Sequence, residues 1–359
     1  MKKKKLKKLI ILLIIIAAIF TITFMIFRKP NRVINITNEQ KLINLGYTND
    51  DISIIKAKNV NTKILLSYDY NKIYIDIIKN DNFKVENLEK YINFNNNFNL
   101  DVENTIFVIN NNYETTEYND KILALMHQTY YIHKNLERYL NYLNNLEYTD
   151  DNVITTISNV NSNLDNEFYT VDNNTDLSKG YLIIVNKYYK LDENYVPDNL
   201  VDIDSKYGYG KLESETYNAF INMYNDALND GMNLYIRSPY RSYKTQYNLY
   251  NSYAAKDGYK NADTYSARPG YSEHQTGLAM DLTTASTTLG TFESTKEFKW
   301  MKENCYKYGF ILRYPKGKEY MTGYIYEPWH YRYVGVDAAK KIYEENITFE
   351  EYYAYYVEK

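Results

Sequence analysis

The chain has 359 residues, 42 Lys+Arg against 45 Asp+Glu, a net charge of −3, and 45% hydrophobic residues. That length suits two or three domains, the near-balance of charge argues against a protein that grips nucleic-acid phosphates, and the composition is that of a folding chain. One cysteine, Cys305, excludes an intramolecular disulfide framework and a cysteine-rich zinc site, and leaves His127, His133, His274 and His330 as the only histidines for metal or acid–base chemistry.

Met1 to Lys8 holds six lysines, and Leu9 to Phe27 then runs 19 residues without a charge. At ~1.5 Å per residue a helix of that length spans roughly 28 Å, the thickness of a hydrocarbon core. The heavier positive charge before the run keeps the N-terminus inside and exports the rest. Phe24-Met25-Ile26-Phe27 offers no small residues for a signal-peptide cut, and no cysteine stands there for lipidation. The expectation is a single-pass anchor within residues 1–32, which sets the protein in the cell membrane with its C-terminal domain extracytoplasmic.

Asn87-Leu-Glu-Lys-Tyr-Ile92 recurs 48 residues later as Asn135-Leu-Glu-Arg-Tyr-Leu140, and Leu45-Gly-Tyr-Thr-Asn-Asp50 is echoed by Leu146-Glu-Tyr-Thr-Asp-Asp151. A period near 50 predicts copies of one small supersecondary unit, with Thr48 and Thr149 opening helices. Residues 40–175 therefore read as a mainly helical repeat region, either a spacer or an arm that binds wall or partner. His127 and His133, six apart, fall far apart around a helix with no carboxylate to complete a site, and read as structural.

From Ser178 the texture changes. Tyr181-Leu-Ile-Ile-Val185 reads as a buried strand, and Tyr217, Phe220, Ile221, Tyr224 and Leu228 as a helix face ended by Gly231. Asn233 to Arg237 reads as a strand, and Ser242 as the N-cap of the next helix. Phe298, Met301, Cys305 and Tyr308 line another helix stopped by Gly309, which makes Cys305 a small core residue. Irregular alternation without a Gly-rich phosphate loop predicts an α+β domain over 178–345, followed by a tail, 346–359.

His274 lies in Ser272-Glu-His-Gln-Thr-Gly-Leu-Ala-Met-Asp281, and His330 ends Glu327-Pro-Trp-His330. A catalytic zinc takes about three nitrogen or carboxylate ligands and keeps one open position. His274, Asp281 and His330 supply such a set, and Glu327 stands three residues before His330 as a carboxylate able to take a proton from water. Arg237 and Arg241 are the nearest positive groups for a developing oxyanion. Taken singly these spacings are weak.

Their surroundings are more specific. Ser238-Pro-Tyr-Arg-Ser242, Pro269-Gly-Tyr-Ser-Glu-His-Gln-Thr-Gly-Leu-Ala-Met-Asp-Leu282, Gly309-Phe-Ile-Leu-Arg-Tyr-Pro315 and Thr322-Gly-Tyr-Ile-Tyr-Glu-Pro-Trp-His-Tyr-Arg-Tyr-Val-Gly335 follow one another in that order. Over roughly residues 180–345 the chain resembles the D-alanyl-D-alanine carboxypeptidases of the vancomycin-resistance type, zinc enzymes that trim peptidoglycan stem peptides. The resemblance implies the fold shared with lysostaphin-type peptidases and the hedgehog domain: an antiparallel sheet with flanking helices around a zinc groove. It implies Zn2+ on His274, Asp281 and His330, Glu327 as general base, Arg241 as the residue that stabilises the tetrahedral intermediate, and Ser272 and Gln246 as substrate-holding positions. The expected activity is removal of the last D-alanine from a stem pentapeptide. The same architecture serves L,D-carboxypeptidases acting on tetrapeptides, and a non-catalytic wall-peptide binder is the remaining alternative.

Overall fold

The computed structural model describes residues 16, 36–113, 119–171 and 173–358. The expected anchor lies, but for Ile16, outside the described residues; no helix among the described residues is long and apolar enough to cross a membrane. The chain divides into two compact units at residues 114/115, inside the span 40–175.

The first unit is helical: α1 (Asn38–Leu45), α2 (Asn49–Ala57), α3 (Thr62–Leu65), α4 (Lys72–Lys79), α5 (Leu88–Phe98) and α6 (Val102–Asn110). Side chains of Thr37, Thr48, Asn61, Asn71 and Asp101 accept from the free N–H groups at five of these helix starts. At Thr48 the bond is reciprocal, with Asp51 accepting from the Thr48 N–H, so two otherwise unpaired donors are satisfied at once. The apolar faces of α1 to α5 meet in a core that includes Leu42, Ile55, Leu65, Ile75, Ile78 and Ile92.

The second unit begins with α7 (Asn119–Met126), α8 (Leu136–Leu143) and α9 (Asp150–Asn161). The sequence repeat appears as the same clamp in each unit. Before α5, Asn87 Nδ2 donates to Asn110 Oδ1 (3.2 Å), Tyr91 OH donates to the same oxygen (2.5 Å), and Lys84 N–H donates to Tyr91 OH (3.3 Å). Before α8, Asn135 Nδ2 donates to Asn161 Oδ1 (3.0 Å), Tyr139 OH donates to that oxygen, and Ile132 N–H donates to Tyr139 OH (3.3 Å). Both tyrosines are buried, which makes their hydroxyl bonds necessary.

Next come a short parallel pair, β1 (Asn173–Asn174) and β2 (Tyr189–Lys190), and an antiparallel pair, β3 (Leu200–Asp202) and β4 (Lys211–Glu213). They are followed by α10 (Ser214–Asn229), β5 (Tyr235–Ser238), α11 (Tyr243–Asp257), α12 (Tyr259–Tyr265), β6 (Ala279–Thr283), α13 (Lys296–Asn304), β7 (Phe310–Leu312), α14 (Glu319–Thr322), β8 (His330–Tyr333), α15 (Val336–Glu345) and α16 (Phe349–Tyr352). The central sheet is antiparallel, in the order β5-β6-β8-β7. Alternation sorts its side chains. Met280, Leu282, Tyr331 and Tyr333 join Phe220, Met223 and Ala227 of α10 and Phe298 and Met301 of α13 in the main core. The intervening Asp281, His330 and Arg332 are therefore left for the opposite face.

Several expectations meet a different outcome. Tyr181–Val185 is not a strand: a 3-10 turn, Leu177–Leu182, runs into buried extended chain. Its carbonyls are taken by side chains instead of a neighbouring strand. Arg332 Nη2 donates to Tyr181 O (3.0 Å) and Ile183 O (2.7 Å), and Thr175 Oγ1 to Ile184 O (2.8 Å). On α10 the buried face is Phe220, Met223 and Ala227, which turns the adjacent Leu228 out to solvent. Residues beyond 345, read as a tail, pack inward through Phe349 and Tyr353 against Ile184, Ile311, Val334 and Ala339. Cys305 sits in the main core as expected, and Gly309, at φ +85°, closes the turn after it.

Candidate metal centre and active site

Asp281 and His330 are direct cross-strand partners in the β6–β8 ladder, and Ser238 of β5 lies opposite Asp281 on its other side. Register alone thus brings together residues that are 49 apart in the chain. His274 arrives from a 3-10 turn, Glu273–Thr276, closed by Gly277 at φ +69°. A side chain at Gly277 would sit 2.9 Å from Leu200 and 3.0 Å from the Glu213 nitrogen, so glycine is required there. The β5 register shifts between Ile236 and Ser238. This irregularity leads the chain into the 239–242 turn, where Arg241 N–H donates to His274 O (3.2 Å) and Pro239 O accepts from His274 Nδ1 (2.8 Å).

Those partners set the tautomers. A carbonyl only accepts, so His274 carries its proton on Nδ1 and presents a lone pair at Nε2. His330 Nε2 lies 3.2 Å from Glu273 Oε2, which places the proton on Nε2 and a lone pair at Nδ1. Both free lone pairs face Asp281 Oδ1, at 3.5 Å from His274 Nε2 and 3.2 Å from His330 Nδ1. No donor reaches this buried oxygen in hydrogen-bond geometry. Three electron-rich atoms within 4.8 Å of one another repel unless a cation lies between them. Two imidazoles and one carboxylate fit a divalent ion of the zinc type.

Burial and neighbouring charge tune the set. Burial, reinforced by the Arg241 charge, holds His274 down at about 4. Burial also lowers His330, but the neighbouring Asp281 and Glu273 carboxylates favour its charged form and outweigh burial, holding it at about 9, so the cluster draws positive charge to this point, as a proton or as a cation. Burial opposes charge on Asp281, yet the two histidines keep its carboxyl well below the usual range. Glu327 stands 3.7 Å from His330 Nδ1, and burial pushes its carboxyl up to about 8. Its backbone is pinned from both sides, Glu327 N–H donating to Tyr314 O (3.1 Å) and Glu327 O accepting from His330 N–H (3.2 Å).

A cavity of about 410 Å³ opens over this cluster, and Arg241, Gln246, Ser272, His274, Asp281, Glu327 and His330 all line it. Arg241 Nε is buried there without a partner. Arg237 instead is exposed and donates to Thr287 O (3.3 Å), away from the cavity. Gln246 is tied by its amide nitrogen to Ala267 O (2.7 Å), which leaves Oε1, a buried acceptor with no partner. That orientation suits an N–H of a ligand and not a carboxylate, since an amide oxygen only accepts. Ser272 is buried at the cavity wall. His127 lies on the surface and His133 in a separate 3-10 turn, both apart from the cavity.

Sequence reasoning missed the residues behind the ligands. Glu273, fully buried, accepts from Arg313 Nε (2.8 Å) and Arg332 Nη1 (2.9 Å) while it faces His330. Burial alone would raise its carboxyl, but the two guanidinium groups hold it well below the ordinary range. The available signal was an arginine at or beside a short apolar strand, as in Phe310-Ile-Leu-Arg313 and Tyr331-Arg-Tyr333.

A family model described as VanY, D-alanyl-D-alanine carboxypeptidase, matches residues 210–336, the span that holds all seven expected site residues. The Bacillus subtilis (strain 168) protein YodJ, which bears a carboxypeptidase name, is 42% identical over 181 residues, 48% of this chain. The chain spans 66% of YodJ, just under two thirds of its length. A D-alanyl-D-alanine carboxypeptidase of Enterococcus faecalis (strain ATCC 700802 / V583) is 34% identical over 200 residues, 52% of this chain and 71% of the relative. The solved structure of the LdcB LD-carboxypeptidase is 40% identical, covers 53% of this chain and 94% of that one, and has a TM-score of 0.49. The chain belongs to the VanY family of D-alanyl-D-alanine carboxypeptidases.

Proposed function

We propose that the protein is a zinc D,D-carboxypeptidase that removes the C-terminal D-alanine from peptidoglycan stem peptides. The observation that carries the reading is the convergence of His274 Nε2, Asp281 Oδ1 and His330 Nδ1 beside Glu327, inside a cavity that also presents Arg241. His274, Asp281 and His330 would hold zinc, which would supply Lewis-acid chemistry to the reaction. Glu327 takes the proton of the attacking water and passes it to the leaving amine; a carboxyl poised near neutrality by burial suits both transfers. Arg241, with an unpartnered buried N–H, donates to the developing oxyanion or to the terminal carboxylate. Gln246 Oε1 accepts from a peptide N–H and orients the chain. Ser272 adds a hydroxyl at the wall.

The charge-free run Leu9–Phe27 supports a membrane tether, with the catalytic unit on the outer side where its substrate lies. Incubating the zinc-loaded protein with stem pentapeptide and tetrapeptide, followed by mass spectrometry, tests the reading. Loss of one alanine from the pentapeptide alone is expected. Trimming of the tetrapeptide alone would move the assignment to L,D-specificity, and binding without cleavage would make it a wall-peptide receptor.

A further inference from the structure

The ionic cluster behind His330 does not stop at residue 336, where the family match ends. Arg313 gives its Nε to Glu273 and its two remaining nitrogens to Glu350, Nη1 to Oε2 at 2.9 Å and Nη2 to Oε1 at 2.6 Å. Asn186 Nδ2 adds a bond to Glu350 Oε1 (3.2 Å). Arg313, Arg332, Glu273 and Glu350 are all at most 2% exposed. Two guanidinium groups and two carboxylates sum to zero, the condition under which charges tolerate such burial.

The local fold holds Glu350 in place. Thr348 and Glu351 close a reciprocal cap on α16, with Thr348 N–H donating to Glu351 (2.7 Å) and Glu351 N–H to Thr348 Oγ1 (3.2 Å). Phe349 is buried against the neighbouring cluster, so Glu350 is directed inward at Arg313. The hydrogen-bonded path then runs Glu350, Arg313, Glu273, His330. With Glu350 present, Arg313 divides its charge between two carboxylates. Without it, Glu273 alone would face two guanidinium groups and hold the His330 Nε2 proton more weakly. His330 Nδ1 would become a poorer electron donor, and a surplus positive charge would lie close to the cation site.

We infer that Glu350, outside the ligand-bearing span, is a positioning residue for the metal centre, balancing Arg313 so that Glu273 can orient His330. The inference rests on the reading that His274, Asp281 and His330 hold zinc. It is tested by zinc affinity, measured on the full chain by chelator competition without any peptide substrate. Wild-type protein that holds no zinc refutes the underlying reading, not this step. Given zinc in the wild type, Glu350→Gln should weaken affinity by ~10-fold or more, the usual cost of a lost outer partner, while circular dichroism stays native. Glu350→Asp, which keeps the charge, should recover part of the loss. Wild-type affinity in a folded Glu350→Gln protein overturns the inference. If Glu350→Gln fails to fold, the comparison moves to an Arg313→Met background, where the link is already cut and Glu350→Gln returns the remaining charges, Arg332 and Glu273, to a sum of zero. Adding Glu350→Gln there should leave affinity within ~3-fold of Arg313→Met alone, a difference of about 0.6 kcal/mol at most. A further drop of tenfold would show that Glu350 acts by another route and overturns the inference.

Discussion

Replacing Glu327 by glutamine separates metal binding from chemistry. The swap keeps size and leaves the two backbone bonds that pin this turn, Glu327 N–H to Tyr314 O and His330 N–H to Glu327 O, both untouched. None of the three converging ligand atoms belongs to residue 327, so zinc content should stay near one per chain. What disappears is a carboxylate 3.7 Å from His330 Nδ1 that can gain and lose a proton near neutral pH. Loss of a positioned acid–base group lowers kcat by ~10²–10⁴, roughly 3–5.5 kcal/mol on the barrier. The assay is pentapeptide turnover alongside zinc measured on the same sample, with substrate binding followed by calorimetry. Turnover within a few-fold of wild type refutes the assignment of the base. Loss of zinc together with activity refutes the separation of roles.

His330→Ala or His274→Ala should abolish both zinc and activity, whereas His127→Ala, on the surface, should change neither; atomic absorption on the purified variants decides it. Arg241→Ala should lower kcat by ~10²–10³, the cost of one lost oxyanion donor, with partial recovery in Arg241→Lys, and Arg237→Ala should be mild. A rise in KM alone for Arg241→Ala would assign it to the substrate carboxylate. Cys305 is buried and burial pushes its thiol up to about 12, so a thiol reagent at pH 8 should label the native protein negligibly and one equivalent only in denaturant. Fast labelling of the native protein would contradict the packing around the main core.

The ligand set was legible because its residues sit in dense, distinctive text around His274 and His330. Their convergence was not, since it depends on the Asp281–His330 register and on the 239–242 turn bonded to the His274 loop. Arg241 and Arg237 were indistinguishable by strand period; the register shift after Ile236 separates them. The stretch 181–185 misled because its β-branched run is buried as a strand would be, while Arg332 and Thr175, distant or unremarkable in sequence, satisfy its carbonyls. Glu273 and Glu350 were invisible for a related reason. A lone carboxylate beside a histidine, or in a charged C-terminal helix, has the pattern of a solvated surface until its arginines are placed.

The Asn–Tyr–Asn clamp closes its hydrogen bonds between one helix pair and the turn that leads into it. A pair built this way asks little of its neighbours, so duplicating or deleting one leaves few unmatched polar groups elsewhere. The two copies nonetheless live under different constraints. Around the second, Tyr355 of the closing segment bonds Ser158 and stacks on Tyr130 at 3.9 Å, so that copy is committed to the unit that carries the catalytic sheet. The first lies in the other unit. Gene duplication can therefore lengthen the chain ahead of residue 115 in steps of about 50 residues without retuning the chemistry.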